Sequence, residues 1–162
     1  MILRNQVEWA LHCCSIMAQQ APDRYLPTKD LAEYHGVPKE YLSKALQALA
    51  QAGIVEGTLG PTGGYRLARS ADEISFLDIV EAIEGKRSTF QCTSIINNNP
   101  CLKKSERYNG ICDVAQVMYN ADEAWRDQLR AFTVGKLVRQ LKKKLPPEQV
   151  RYAIDFFSKD GK

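Results

Sequence analysis

Residues 28–67 restrict the fold more tightly than any other stretch of this 162-residue chain. Thr28 suits the N-cap of a helix, Asp30 suits its positive first turn, and Gly36 marks the stop. Only Val37 and Pro38 separate that segment from a second helical run, residues 39–51. There Leu42, Ala45, Leu46 and Leu49 recur at the spacing of one buried face, and Gly53 ends the run. Two short helices with a tight glycine-containing turn between them form a helix-turn-helix pattern. Ile54, Val55 and Thr58 then predict a strand, residues 60–64 (GPTGG) a turn, and Tyr65, Arg66 and Leu67 the returning strand. A hairpin directly behind such a helix pair is a wing. The predicted fold class is mainly α, a winged helix-turn-helix DNA-binding domain joined to a long dimerisation helix.

That order of elements predicts where double-stranded DNA would be met. The second helix of the pair offers Lys39, Tyr41, Ser43 and Lys44 on its N-terminal turns, where a recognition helix meets base edges and phosphates. In the wing, Gly63 and Gly64 let backbone amides come close to a phosphate, Arg66 adds charge beside them, and Thr62 and Tyr65 flank the tip. Thr28 completes the set. The net charge is only +3, so affinity for DNA has to come from this local patch.

The flanking segments supply a scaffold. Residues 5–20 keep helical spacing through Val7, Ala10, Leu11, Cys14 and Met17, with Trp9, Cys13 and Ile16 widening the apolar face. Glu8, His12, Ser15 and Gln19 form one polar line along that helix. Ser75 and Asp78 form a capping pair that opens a short helix through Ile79, Val80 and Ile83, ended by Gly85. Farther on, Val114, Val117, Met118, Ala121, Trp125, Leu129 and Phe132 trace a stripe long enough to project from a small domain. Pairing with the same helix of a second copy would bury the stripe and set two recognition helices about one DNA turn apart, which requires a palindromic operator. An ordinary core helix within one chain is the alternative. Thr133 caps a further helix carrying Val134, Leu137, Val138 and Leu141, residues 142–144 put three lysines at its end, and Pro146 and Pro147 start a small terminal helix. The expected layout is a DNA-binding domain over 1–85, a cysteine loop over 86–112, dimerisation helices over 113–145, and a terminal helix and tail over 146–162.

Cys92, Cys101 and Cys112 lie in a polar stretch, QCTSIINNNPCLKKSERYNGIC, where a structural cysteine has nothing apolar to pack on. No apolar run approaches a membrane span, and the N-terminus lacks the features of a signal peptide, so the expected compartment is the cytoplasm. Its reducing poise turns five cysteines away from a disulfide framework and toward metal binding or redox sensing. Cys13 and Cys14, inside the apolar helix, are expected in the core. With no GxGxxG and no nucleophile elbow, an enzyme with an organic substrate is not expected.

The segments NQVEWALHCC, TKDLAEYHGVPKEYLSKALQALAQAGIVEG, GPTGGYRLAR and ISFLDIVEAIEG, with the cysteine loop behind them, resemble one bacterial family over about residues 1–140. This is the winged-helix family of iron-sulfur and redox transcription regulators typified by IscR, NsrR, RirA and CymR. VEWALHCC and EAWRDQL are most similar to its RsrR-like 2Fe-2S branch. The resemblance implies a homodimeric repressor that senses redox state through an iron-sulfur cluster, most simply 2Fe-2S. It implies that Glu8 and His12 of one subunit meet Cys101 and Cys112 of the other. Cys92 is read as a ligand replacing Glu8 or His12, a resolving thiol or a buried residue at the loop entrance. Eight residues separate Cys92 from Cys101 and ten separate Cys101 from Cys112, wider than in cluster-binding members with crowded cysteines. A cluster-free thiol regulator of the same fold and a zinc-stabilised one are the other readings.

Overall fold

The first helix, α1 (Asn5–Met17), is the post that the rest of the chain packs around. The structure is a computed structural model and describes residues 2–101 and 108–158. Val7, Ala10, Cys13, Cys14, Ile16 and Met17 are all buried, which leaves one side of α1 for solvent. The predicted polar line is shorter than expected, because Ser15 is buried and α1 ends at Met17 rather than at residue 20. Gln19 instead folds back, its Nε2 donating to the Ser15 carbonyl at 3.0 Å.

Behind it stand α2 (Thr28–His35) and α3 (Lys39–Gln51). Gly36 closes α2 at φ 63°, a left-handed value that glycine adopts without the cost a side chain brings. The cap at the other end differs from expectation. Pro27 holds that place, Thr28 is the first helical residue, and no side chain caps the turn. Its cause lies in tertiary structure: Leu26 and Tyr65 exchange N–H to carbonyl bonds of 2.9 Å in both directions, so the chain stays extended up to Pro27. On α3, Leu42, Ala45, Leu46 and Leu49 face the core as their spacing predicts.

The wing is an antiparallel hairpin of β1 (Val55–Thr58) and β2 (Gly64–Leu67), in register from Val55 opposite Leu67 to Thr58 opposite Gly64. A side chain on Gly64 would run into the Leu26 backbone, so glycine is required where the wing docks on the strand-like entry to α2. Next, α4 (Phe76–Glu84) starts with the predicted capping box. Asp78 N–H donates to Ser75 Oγ at 3.1 Å, and Ser75 N–H donates to Asp78 Oδ2 at 2.9 Å.

Then come α5 (Asp113–Arg130), α6 (Val134–Lys144) and α7 (Pro147–Ser158). The corner between α5 and α6 is stitched to the start of α4: Phe76 N–H donates to the Phe132 carbonyl at 2.8 Å, Val134 N–H to the Ile74 carbonyl at 2.9 Å, and the two phenylalanine rings meet edge on. Thr133 caps α6 through Lys136 N–H at 3.2 Å. Through Val134, Val138, Ala153 and Phe157, α6 and α7 enter the same core as α1 to α4. α7 clasps α2, with Tyr34 against the rings of Phe156 and Phe157 and the Arg24 guanidinium donating to the Phe157 carbonyl. No helix among the described residues is long and apolar enough to cross a membrane.

Leu46 is fully buried in this core, on the helix that packs against α1 and α4, so its truncation opens a cavity there. Leu46→Ala is expected to lower unfolding stability by about 3 kcal/mol. Ser75→Ala, which removes one cap, should cost about 1 kcal/mol. Urea denaturation followed by circular dichroism measures both.

Candidate nucleic-acid interface and donor residues

The N-termini of α2 and α3 and the wing enclose one concavity, lined by Thr28, Lys29, Lys39, Thr58, Leu59, Gly60, Gly63, Gly64 and Tyr65. Lys39 and Lys29 are exposed and Thr28 is half-buried. Tyr41 is 56% exposed in the first turn of α3, with Lys44 Nζ 5.7 Å from its ring centre. Ser43, half-buried, sits between them, and Thr62 is exposed at the hairpin turn. Gln6 Nε2 of α1 donates to the Tyr41 carbonyl at 3.2 Å, so the exposed turns of α3 are pinned to α1.

Arg66 is the one member of the predicted DNA set that the fold turns elsewhere. Its Nε lies 2.5 Å from Glu56 Oε1, directly across the hairpin, its Nη1 donates to the Pro22 carbonyl at 3.2 Å, and its guanidinium covers the Tyr25 ring. Arg66 holds the Glu56 carboxyl below the usual carboxylate range, first through this hydrogen bond and then through its charge. The arginine is thus matched within the chain. Lys29, absent from the predicted set, faces the concavity instead; its place beside Thr28 in the first turn of α2 is the signal that could have found it.

Glu8 and His12 are both exposed, one turn apart on α1, beside a recess walled by Leu3, Val7, Leu11, Phe76 and Leu137. The His12 ring lies 5.8 Å from that of His35, the last residue of α2. Burial, and then the neighbouring His12, push the His35 imidazole below its ordinary range. Trp9 is half-buried against the core.

Cys92, Cys101 and Cys112 lie on the loop between α4 and α5. Asp122, buried on α5, accepts the Thr89 N–H at 3.1 Å, and hydrogen bonding from Thr89, its side chain first and its N–H after, holds the carboxyl below the ordinary range. Phe90 meets Tyr119 edge on, and the Tyr119 hydroxyl accepts the Cys92 N–H at 3.4 Å. Cys92 is half-buried, and its Sγ accepts the Ser94 N–H at 3.3 Å. Cys101 is exposed, while Cys112 is half-buried and immediately precedes α5. Residues 102–107 of this loop lie outside the described residues. Among the described residues no three His, Cys, Asp or Glu side chains are grouped to hold a metal ion.

The predicted α5 stripe divides. Its C-terminal half is covered, since Trp125 and Leu129 pack on the core and Arg126 pairs with Glu81 of α4. The N-terminal half is bare: Val114 is 71% and Val117 66% exposed, with Met118 beside them.

A family model described as "Rrf2: Iron-dependent Transcriptional regulator" matches residues 3–140. Protein rrf2 of Nitratidesulfovibrio vulgaris is 30% identical over 123 residues, covering 76% of this chain and 77% of its own. The transcriptional repressor NsrR of Streptomyces coelicolor is 31% identical over 116 residues, covering 72% of this chain and 73% of its own. Among solved structures, T. potens IscR superposes with TM-score 0.66 at 18% identity, over 94% of this chain and 97% of that one. CymR, the global cysteine regulator of B. subtilis, gives 0.65 at 19% identity, over 86% and 98%. Both have this winged-helix fold.

The five thiols differ sharply in environment. Burial pushes the Cys13 thiol up to about 12 and raises Cys14 as well, so neither forms appreciable thiolate at neutral pH. Iodoacetamide applied to the metal-free native protein is therefore expected to alkylate Cys101 first and to reach Cys13 and Cys14 only after denaturation, as read by peptide mass spectrometry.

Proposed function

Because this chain belongs to the Rrf2 family of transcriptional regulators, DNA-binding proteins and not enzymes, we propose that it acts as a homodimeric repressor that reports redox state through an iron-sulfur cluster. One observation carries this reading. Glu8 and His12 stand exposed beside an apolar recess on α1 with no third donor side chain grouped with them among the described residues, and the half of α5 that Cys112 introduces is bare. One chain alone leaves the donor set incomplete and an apolar face wet; a second copy laid against the first remedies both. Two recognition helices related by a twofold axis then call for a palindromic duplex with half-sites about 34 Å apart.

The donor chemistry fits such a group. Thiolates stabilise ferric iron and its bridging sulfides, and an imidazole in place of a thiolate raises the potential. A 2Fe-2S cluster would supply reversible one-electron chemistry. Glu8 and His12 would hold it from one protomer, with Cys101 and Cys112 from the partner. Cys92 is the alternative to Glu8 or His12, and its Sγ accepts the Ser94 N–H at 3.3 Å. The α1 end of the site is well placed to be felt at the DNA face, because α1 packs against α3 and Gln6 is bonded to the Tyr41 carbonyl. A reducing cytoplasm suits this chemistry. A second reading, a cluster-free thiol regulator, is favoured by the exposure of Cys101 and requires a colourless protein.

Anaerobic purification with iron and sulfide analysis, and spectra in both redox states, tests the cluster. Glu8→Ala, His12→Ala and Cys112→Ser should each lower retained iron by about tenfold or more. Cys101→Ser should do the same, and a like loss in Cys92→Ser beside retention in Glu8→Ala or His12→Ala would put Cys92 in that residue's place. Gel shifts should separate oxidised, reduced and cluster-free protein by about tenfold in affinity, a coupling of about 1.4 kcal/mol. Equal affinity in all three forms would remove the sensor and leave the DNA-binding protein.

A further inference from the structure

The wing ends in an apolar side chain with nothing of its own to pack against. Leu59 is 99% exposed at the turn between β1 and β2. The turn is not free to fold back over it: Gly63 N–H donates to the Gly60 carbonyl at 3.0 Å, and Leu26 and Tyr65 tie the base of the hairpin to the entry of α2. Between Glu56 and Arg66 the wing has no acidic or basic side chain, and those two residues pair with each other at 2.5 Å. The wing therefore has no free cation with which to grip a phosphate. Lys29 and Lys39, however, border the same concavity as Leu59 and supply that charge from α2 and α3.

With α3 in the major groove, the grooves alternate along the duplex, so a hairpin standing beside that helix and facing the same way meets the adjacent minor groove. That groove is only about 6 Å wide and presents little that a charged or amide side chain can tell apart. A single leucine on a narrow glycine-rich turn can enter it, and apolar wedges act there by parting a base step rather than by hydrogen bonding. We propose that Leu59 is such a wedge, entering the minor groove beside the bases met by α3 and selecting sequence through the ease with which the step beneath it opens. Flexible pyrimidine–purine steps are preferred under the wing and stiff A-tracts are rejected. This inference rests on the DNA-binding reading, and not on the cluster.

The probe is a duplex recovered from a random-sequence library by the unaltered full chain, with hydroxyl-radical footprinting to locate the minor-groove stretch under the wing. Leu59→Ala should weaken binding to that duplex by about tenfold. It should leave the slope of affinity against salt unchanged, because no phosphate contact is lost, whereas Leu59→Lys should steepen that slope by about one. Replacing the step under the wing by an A-tract should weaken the parent protein but not Leu59→Ala. Leu59 has no packing to lose, so both variants are expected to fold, as circular dichroism can verify. The wedge is overturned if Leu59→Ala binds within about twofold of the parent, or if the A-tract weakens both proteins equally. If the parent recovers no duplex at all, the DNA-binding reading falls and takes the wedge with it.

Discussion

Burial of α1 on three sides is the constraint that makes this chain a single mechanical unit. Val7, Ala10, Cys13 and Cys14 are 3% exposed or less, and α1 packs on α3, on α4 and on α6. A close-packed interior cannot take up a displacement locally, since even a methylene out of place is felt by its neighbours. Any force applied to the exposed edge of α1, where Glu8 and His12 stand, is therefore passed to whatever α1 touches. One of those contacts is α3, through shared core side chains and through Gln6 on the Tyr41 carbonyl. α1 is thus the rigid member shared by the surface that carries Glu8 and His12 and the exposed turns of α3.

Local chemistry was legible in the sequence wherever one segment decides its own shape. Gly36 and Gly53 end their helices with left-handed φ values of 63° and 68°. Ser75 and Asp78 form a reciprocal cap, and Leu42, Ala45, Leu46 and Leu49 bury the face their spacing marks. What could not be read is what distant segments impose. Thr28 lost its capping place because Leu26 is bonded to Tyr65, 39 positions onward, and nothing near Thr28 encodes that. Arg66 was read as a cation for phosphate because its neighbours are glycines, but Glu56 meets it only once the hairpin closes.

The donor residues show the same division at a larger scale. Helical spacing put Glu8 and His12 on one side of α1, and both are exposed. Ser15, assigned to the same line by the same rule, is buried, because periodicity cannot tell where the packed side of a helix ends. Spacing likewise marked the whole α5 stripe as unpartnered, yet Trp125 and Leu129 find their neighbours within the chain. Only the half beginning at Val114 keeps its apolar face open, next to the cysteine that introduces the helix.

The clasp of α7 on α2 has a bearing on biogenesis. Arg24 and Phe157 touch across 133 positions, so one flank of the helix-turn-helix is closed by a segment synthesised long after it. Contacts of such separation form late, since the intervening chain must first be made and its loop entropy overcome. While the ribosome is still translating, the nascent reading head carries an uncovered Tyr34, and the regulator attains its finished form only when the helix bearing Phe157 has emerged.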